Sequence, residues 1–180
     1  MVTWIITASD LGASTWPTDA RPLESRDMRN ILMVCTANIC RSPMAKVVAQ
    51  QLADQAGQPR LLTFDAAGTH AQNGGGRPDP RAKAVLTARK YALANTRSRR
   101  ITAQDFEHFD LLLAMDESNL AALQRQCPAE QQHKLRLLLS FAPELGVTEV
   151  PDPYFGNRAG FERVLDLCEA GVRGLLQTRL

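Results

Sequence analysis

Apolar and polar positions along this chain fall into blocks whose lengths and periods predict its elements. Ile31-Leu32-Met33-Val34 is a short unbroken apolar run, the mark of a strand buried on both faces. Beyond residues 35–41, Ser42-Pro43 pairs an N-cap hydroxyl with proline at the first helical position. Met44, Val47, Val48 and Leu52 then share one helical face, and Gly57 suits the C-terminal end of that helix. Residues 60–66 read as a second strand, and 70–78, with three consecutive glycines and Pro78, as a loop. Asp79-Pro80 repeats the cap-then-proline signal and opens a helix to about residue 90. Residues 111–115 form the clearest buried strand, Asp116-Glu117-Ser118 starts another helix, and 135–139 is a fourth apolar run. Pro151-Asp152-Pro153 resists helix and is loop. Phe161, Val164, Leu165, Cys168, Val172, Leu175 and Leu176 make a long amphipathic stripe, a C-terminal helix packed on the sheet.

Strands alternating with helices predict an α/β fold. The expected architecture is a single domain with a four-stranded parallel sheet and helices on both faces. Ligands in such folds bind beyond the carboxyl ends of the strands. Residues 35–41 stand at one such end and Asp116 at another.

Composition changes this picture little. At 180 residues the chain is long enough for one real core. A net charge of +2 gives no reason to expect a nucleic-acid partner. No apolar stretch approaches the roughly 20 residues that span a bilayer, so membrane insertion is not expected. Four cysteines without a CxxC pair or zinc-finger spacing read as reduced thiols in the cytoplasm, with no metal site. Residues 1–29 lack any sustained period and are expected to be a flexible extension ahead of a domain over 30–180. Trp4-Ile5-Ile6 is too short for the apolar core of a signal peptide.

The chemistry is concentrated in Val34-Cys35-Thr36-Ala37-Asn38-Ile39-Cys40-Arg41-Ser42-Pro43. A strand ends, a loop turns and a helix begins. Backbone N–H groups in such a loop curl round an anion, and the helix terminus adds unpaired donors and positive potential. Cys35 opens the loop; donors converging on it and the Arg41 guanidinium favour the reactive thiolate. Arg41 closes the loop and can grip two phosphate oxygens. Taken singly, Cys35 reads as a small hydrophobe and Arg41 as a surface charge; it is the joint pattern that is specific.

That pattern resembles the low-molecular-weight protein tyrosine phosphatases, whose loop reads V-C-x-G-N-x-C-R-S-P. The chain matches at Val34, Cys35, Asn38, Cys40, Arg41, Ser42 and Pro43, and departs at Ala37. Ala67-Gly68-Thr69, Asp79-Pro80-Arg81-Ala82, Met115-Asp116 with Asn119, and Asp152-Pro153-Tyr154 resemble further family segments in the same order. The likeness spans about residues 30–178. It implies hydrolysis of phosphotyrosine through a phosphocysteine intermediate, with no metal or cofactor. Cys35 is then the nucleophile, Arg41 the phosphate clamp and Asp152 the general acid. Thr36, Ala37, Asn38, Ile39, Cys40 and Ser42 line the phosphate site, and Tyr154 walls its mouth. In the family Cys40 can pair with the nucleophile; by itself it reads as a core thiol.

Gly68-Thr69-His70-Ala71 resembles bacterial members, many of which act on tyrosine kinases of exopolysaccharide synthesis. Such a kinase, as a phosphotyrosine protein, is the implied partner. Arg97, Arg99 and Arg100 are offered as contacts to it, although charged clusters are more often solvated faces. Oligomeric state is left open. Ala66 and Thr96 stand where many members carry a serine and a histidine supporting the loop asparagine. Two rivals remain. An arsenate reductase on this scaffold needs further redox cysteines around residues 85–105, where none occurs. A non-catalytic phosphate-binding module would have no use for Cys35, Arg41 and Asp152 together.

Overall fold

The structure, a computed structural model, describes residues 29–57, 61–72, 74–94 and 96–178. Four strands form one parallel sheet: β1 (Arg29–Cys35), β2 (Leu62–Gly68), β3 (Leu111–Ala114) and β4 (Leu135–Leu137). Their order is β2-β1-β3-β4, so the direction of winding reverses at β1. The crevice at such a reversal is where open α/β sheets bind ligands.

Successive side chains of β1 point to opposite faces, and each face has its own core. Ile31 and Met33 are fully buried against α1 (Arg41–Gln55) and α5 (Arg158–Gln177), with Met44, Val48, Phe161 and Val172. Leu32 and Val34 pack on the other face with Phe106 from α3 (Ala103–His108) and Leu123 from α4 (Glu117–Gln124). α2 (Pro80–Ala88) adds Val85 and Leu86 to the first core. The expected four-stranded parallel sheet with helices on both faces is the one observed.

The differences are local and have physical causes. β1 begins at Arg29, where the sequence placed the last residue of an extension; residues 1–28 lie outside the described residues. β2 runs to Gly68 rather than residue 66, because the parallel register carries pairing on until Gly68 stands beside Cys35. α1 starts at Arg41, with Cys40 rather than Ser42 in the cap position. The Ser42 hydroxyl turns inward instead and donates to the Ala67 carbonyl at 3.2 Å. β4 ends at Leu137, and residues Leu138–Phe141 wind into a 3-10 turn that buries Leu138 and Leu139. α3 was not anticipated; it is short, and Asp105 caps its N-terminus by accepting from the Thr102 N–H at 2.7 Å. Elsewhere the capping signals hold. Asp79 accepts from the Arg81 N–H at 2.8 Å, Pro80 takes the first turn of α2, and Gly57 follows α1 with φ +72°.

Glycine spacing on α5 decides how closely it docks. A Cβ at Gly174 would lie 1.7 Å from the Phe141 carbonyl oxygen, and one at Gly171 would lie 2.8 Å from Leu138. Gly174→Ala gains about 1 kcal/mol of helix propensity. The clash with fixed backbone outweighs it, and we expect a net loss of about 1–3 kcal/mol. The urea midpoint of the variant measures this; a midpoint at or above wild type would mean that α5 can ride outward without cost.

Candidate active site

Residues 35–41 leave the carboxyl end of β1 and curl into α1. Asn38 carries the left-handed bend of the curl at φ +56°, a conformation asparagine tolerates better than most residues. Ala37 is not among the positive-φ residues, so alanine there is without backbone strain. The partners of Asn38 differ from those the family pattern led one to expect. Its Nδ2 donates to Ser42 Oγ at 2.9 Å, and its Oδ1 accepts from the backbone N–H of Arg99 at 3.0 Å. Arg99 is itself pinned between Asp65 at 2.9 Å and Asp105 at 3.0 Å. It therefore supports the loop from behind, where the sequence had offered it as a contact to a partner. Gly68 closes the other side: a Cβ there would stand 2.6 Å from the Thr36 carbonyl and 3.0 Å from the Asn38 nitrogen. Only glycine permits that approach.

Cys35 is 3% exposed and has two polar groups at its sulfur. The Asn38 N–H points at its sulfur from 3.3 Å, and the Ser42 hydroxyl lies 3.1 Å away. Ser42 has a single proton, shared between the sulfur and the Ala67 carbonyl. When Cys35 is a thiolate the proton belongs on the sulfur side. Cys40 is in the opposite condition. Burial, reinforced by the charges of Asp79, Cys35 and Asp152, pushes its thiol up to about 12. Burial also pushes Cys168 up to about 12. Both remain protonated thiols at any working pH, whereas Cys35 has the Asn38 N–H and the Ser42 hydroxyl at its sulfur.

Arg41 is 2% exposed, so its charge must be met inside the protein. Nη1 donates to Asp116 Oδ2 and, at 3.1 Å, to the Val150 carbonyl. Nη2 reaches Asp152 Oδ2 at 2.7 Å and Thr36 Oγ1 at 3.3 Å. Burial disfavours the charge, but the hydrogen bond to Asp116 and the nearby carboxylates more than offset this, and the guanidinium is held above its usual range. Asp116 also caps α4 by accepting from the Asn119 N–H at 2.6 Å, and Asn119 Nδ2 in turn holds Thr36 Oγ1 at 3.1 Å.

Asp152 stands on a loop across the mouth, its side chain half exposed. Its Oδ1 accepts from the Tyr154 N–H at 3.0 Å, which fixes the turn, while Oδ2 faces Arg41. Tyr154 and Phe155 meet edge to face at 5.1 Å, and Phe155 is 98% exposed. Cys35, Thr36, Ala37, Ile39, Cys40, Arg41, Asp152, Tyr154 and Phe155 line a single cavity of about 260 Å³. All the residues singled out from the sequence therefore converge except Asn38 and Ser42, which brace the loop from beneath. Asp116, Asn119 and the Val150 carbonyl were missing from that set. Asp116 had a signal, its place at the end of β3; the carbonyl had none.

A buried arginine with a thiol at its side and a half-exposed carboxylate opposite has the groups needed to bind a phosphoryl group, attack it and protonate what leaves. Ser42→Ala should slow alkylation of Cys35 by iodoacetamide at neutral pH, and Cys40 and Cys168 should stay unlabelled in native protein; mass spectrometry reads both. Labelling of Cys40 at the rate of Cys35 would contradict the assignment of nucleophile.

A family model described as low molecular weight phosphotyrosine protein phosphatase matches residues 30–180. The chain is 42% identical over 149 residues to a low molecular weight protein-tyrosine-phosphatase of Streptomyces coelicolor, covering 81% of this chain and 90% of that protein. Its fold is similar to the crystal structure of a protein tyrosine phosphatase from Entamoeba histolytica with Hepes in the active site. That match has a TM-score of 0.79 and 34% identity, over 83% of this chain and 95% of that one. A low molecular weight phosphotyrosine phosphatase from Vibrio cholerae is similar with a TM-score of 0.77 and 37% identity, over 83% and 95% of the two chains.

Proposed function

The chain belongs to the low molecular weight phosphotyrosine protein phosphatases, and on that premise we propose that it hydrolyses protein phosphotyrosine through a phosphocysteine intermediate. The observation that carries this is the convergence of Cys35 Sγ, the Arg41 guanidinium and the Asp152 carboxyl on one cavity.

The steps balance as follows. The phosphate of the substrate seats against the N-terminus of α1 and Arg41, where unpaired backbone N–H groups and the guanidinium meet its negative oxygens. To reach Arg41 it displaces the Asp152 carboxylate, which accepts from Nη2 at 2.7 Å. Released from Arg41, the Asp152 carboxylate takes up a proton from solvent; Cys35 attacks phosphorus as the bond to the tyrosine oxygen breaks, and the Asp152 carboxyl gives that proton to the leaving oxygen. Charge gathering on the equatorial oxygens is held by groups already in place, so little reorganisation is needed. Asp152, now a carboxylate, takes a proton from water. The water oxygen attacks phosphorus, the sulfur–phosphorus bond breaks, and inorganic phosphate leaves with Cys35 restored as thiolate.

The substrate class at its finer level rests on the sequence. Gly68-Thr69-His70-Ala71 supports a bacterial-type role in the cytoplasm, against an autophosphorylated tyrosine kinase of exopolysaccharide synthesis. Among the described residues no helix is long and apolar enough to cross a membrane.

Hydrolysis of phenyl phosphate, whose leaving group needs a proton, tests the chemistry in a chelating buffer. Cys35→Ser abolishes turnover, and Asp152→Ala lowers kcat by on the order of 10²–10⁴-fold. The second variant should also bind inorganic phosphate more tightly, because the anion no longer competes with Asp152 for Arg41. A folded wild-type protein that binds phosphate without turning over would leave only a phosphate-binding module.

A further inference from the structure

Asp79 and Arg81 lie outside the catalytic set, yet they join the two loops that carry it. The backbone N–H of Asp79 donates to the Ile39 carbonyl of the phosphate loop at 2.8 Å. The Asp79 carboxylate receives Arg81 twice, from Nε at 3.0 Å and from Nη2 at 2.8 Å. Arg81 then spends its remaining donors on the acid loop. Nη1 reaches the Gly156 carbonyl at 2.9 Å and Nη2 the Tyr154 carbonyl at 3.0 Å. The guanidinium lies over the ring of Phe161, 4.6 Å from its centroid, and Phe161 is fully buried in the first core. A planar fork held by a carboxylate on one edge and an aromatic ring on one face has little freedom to wander.

The acid loop needs such an anchor. Pro151 and Pro153 remove two of its backbone donors. The Tyr154 N–H bond to Asp152 Oδ1 and the Gly156 N–H bond to the Pro153 carbonyl at 2.9 Å shape the loop but do not attach it to anything else. Upstream it is tied where the Val150 N–H donates to the Met115 carbonyl at 2.7 Å and Arg41 donates to the Val150 carbonyl. Midway it is tied by Asp152 to Arg41, and a bound phosphate takes that tie away. Downstream, Arg81 bonds Tyr154 and Gly156. In the substrate complex the placement of the Asp152 carboxyl therefore depends on Val150 and on Arg81.

We propose that Arg81 is a positioning residue for proton transfer: clamped by Asp79 and stacked on Phe161, it holds the acid loop at a set height above the phosphate loop, so that Asp152 meets the leaving oxygen. This rests on Asp152 as the general acid. Its hydrogen bonds from Arg81 hold the Asp79 carboxyl below the usual carboxylate range. The clamp is thus complete above that range and is lost only as pH falls through the lowered value, so it stays intact wherever the enzyme works.

The test compares p-nitrophenyl phosphate, whose leaving group departs readily without a proton, with phenyl phosphate, which needs one. Arg81→Ala should lower kcat/KM for phenyl phosphate by on the order of 10–100-fold and for p-nitrophenyl phosphate by less than about threefold. Competitive inhibition by inorganic phosphate should be unchanged, since the phosphate loop keeps its own supports. In an Asp152→Ala background the same substitution should cost almost nothing further, because the group it positions is gone. Equal losses on both substrates, full additivity with Asp152→Ala, or weakened phosphate inhibition would each overturn the proposal. If Arg81→Ala does not fold, Arg81→Lys, which keeps the charge but not the fork, decides by the same comparison. A wild-type protein silent on both substrates would instead sink the phosphatase reading.

Discussion

The site is organised around one buried positive charge. Arg41 is 2% exposed, and a guanidinium withdrawn from water costs several kcal/mol unless its donors and its charge are met. The partners that meet it come from three parts of the chain. Asp116 comes from the end of β3, the Val150 carbonyl and Asp152 from the loop beyond β4, and Thr36 from its own loop. Satisfying this charge therefore brings together the pieces of an active site. Asp116 meets the guanidinium from a largely buried position, whereas Asp152 meets it half exposed and from a loop.

Backbone geometry supplies the rest of the anion seat. The curl of residues 35–41 depends on the left-handed bend at Asn38 and on the missing side chain at Gly68. Its stiffness comes from Asn38, braced by Ser42 in front and by the Arg99 backbone behind. The resemblance put Ala66 and Thr96 where many members carry a serine and a histidine, and the loop asparagine is held instead by Ser42 and the Arg99 backbone. A different arginine, tied down by Asp65 and Asp105, presents the needed backbone donor. The same function of support is thus met by another part of the chain.

Cys35 and Asp152 sit on loops more than a hundred residues apart in sequence, and the sheet alone does not set the gap between them. Arg41 bridges it from below and the Asp79–Arg81 pair from the side. The first bridge ends on a half-exposed carboxylate, and the second on a guanidinium held by a carboxylate and an aromatic ring.

Much of this was legible in the chain itself. Unbroken apolar runs mark strands buried on both faces, because a parallel sheet covered on two sides has no polar face to alternate with. Cap and proline signals placed the starts of α2 and α4, since those hydrogen bonds are local. The family pattern brought Cys35, Arg41 and Asp152 together before any coordinates did. Where local signals met tertiary demands, the sequence misled. Ser42-Pro43 looks like a helix start, but the hydroxyl is drawn to Cys35 and Ala67, and the helix begins at Arg41. β2 and β4 end where pairing and burial beneath α5 end them, not where apolarity does. Which carboxylate stays on Arg41, which backbone N–H holds Asn38, and what Arg81 grips are contacts between residues dozens of positions apart. Only the folded chain decides them, because hydrogen bonds form by distance in space and leave no period in the sequence.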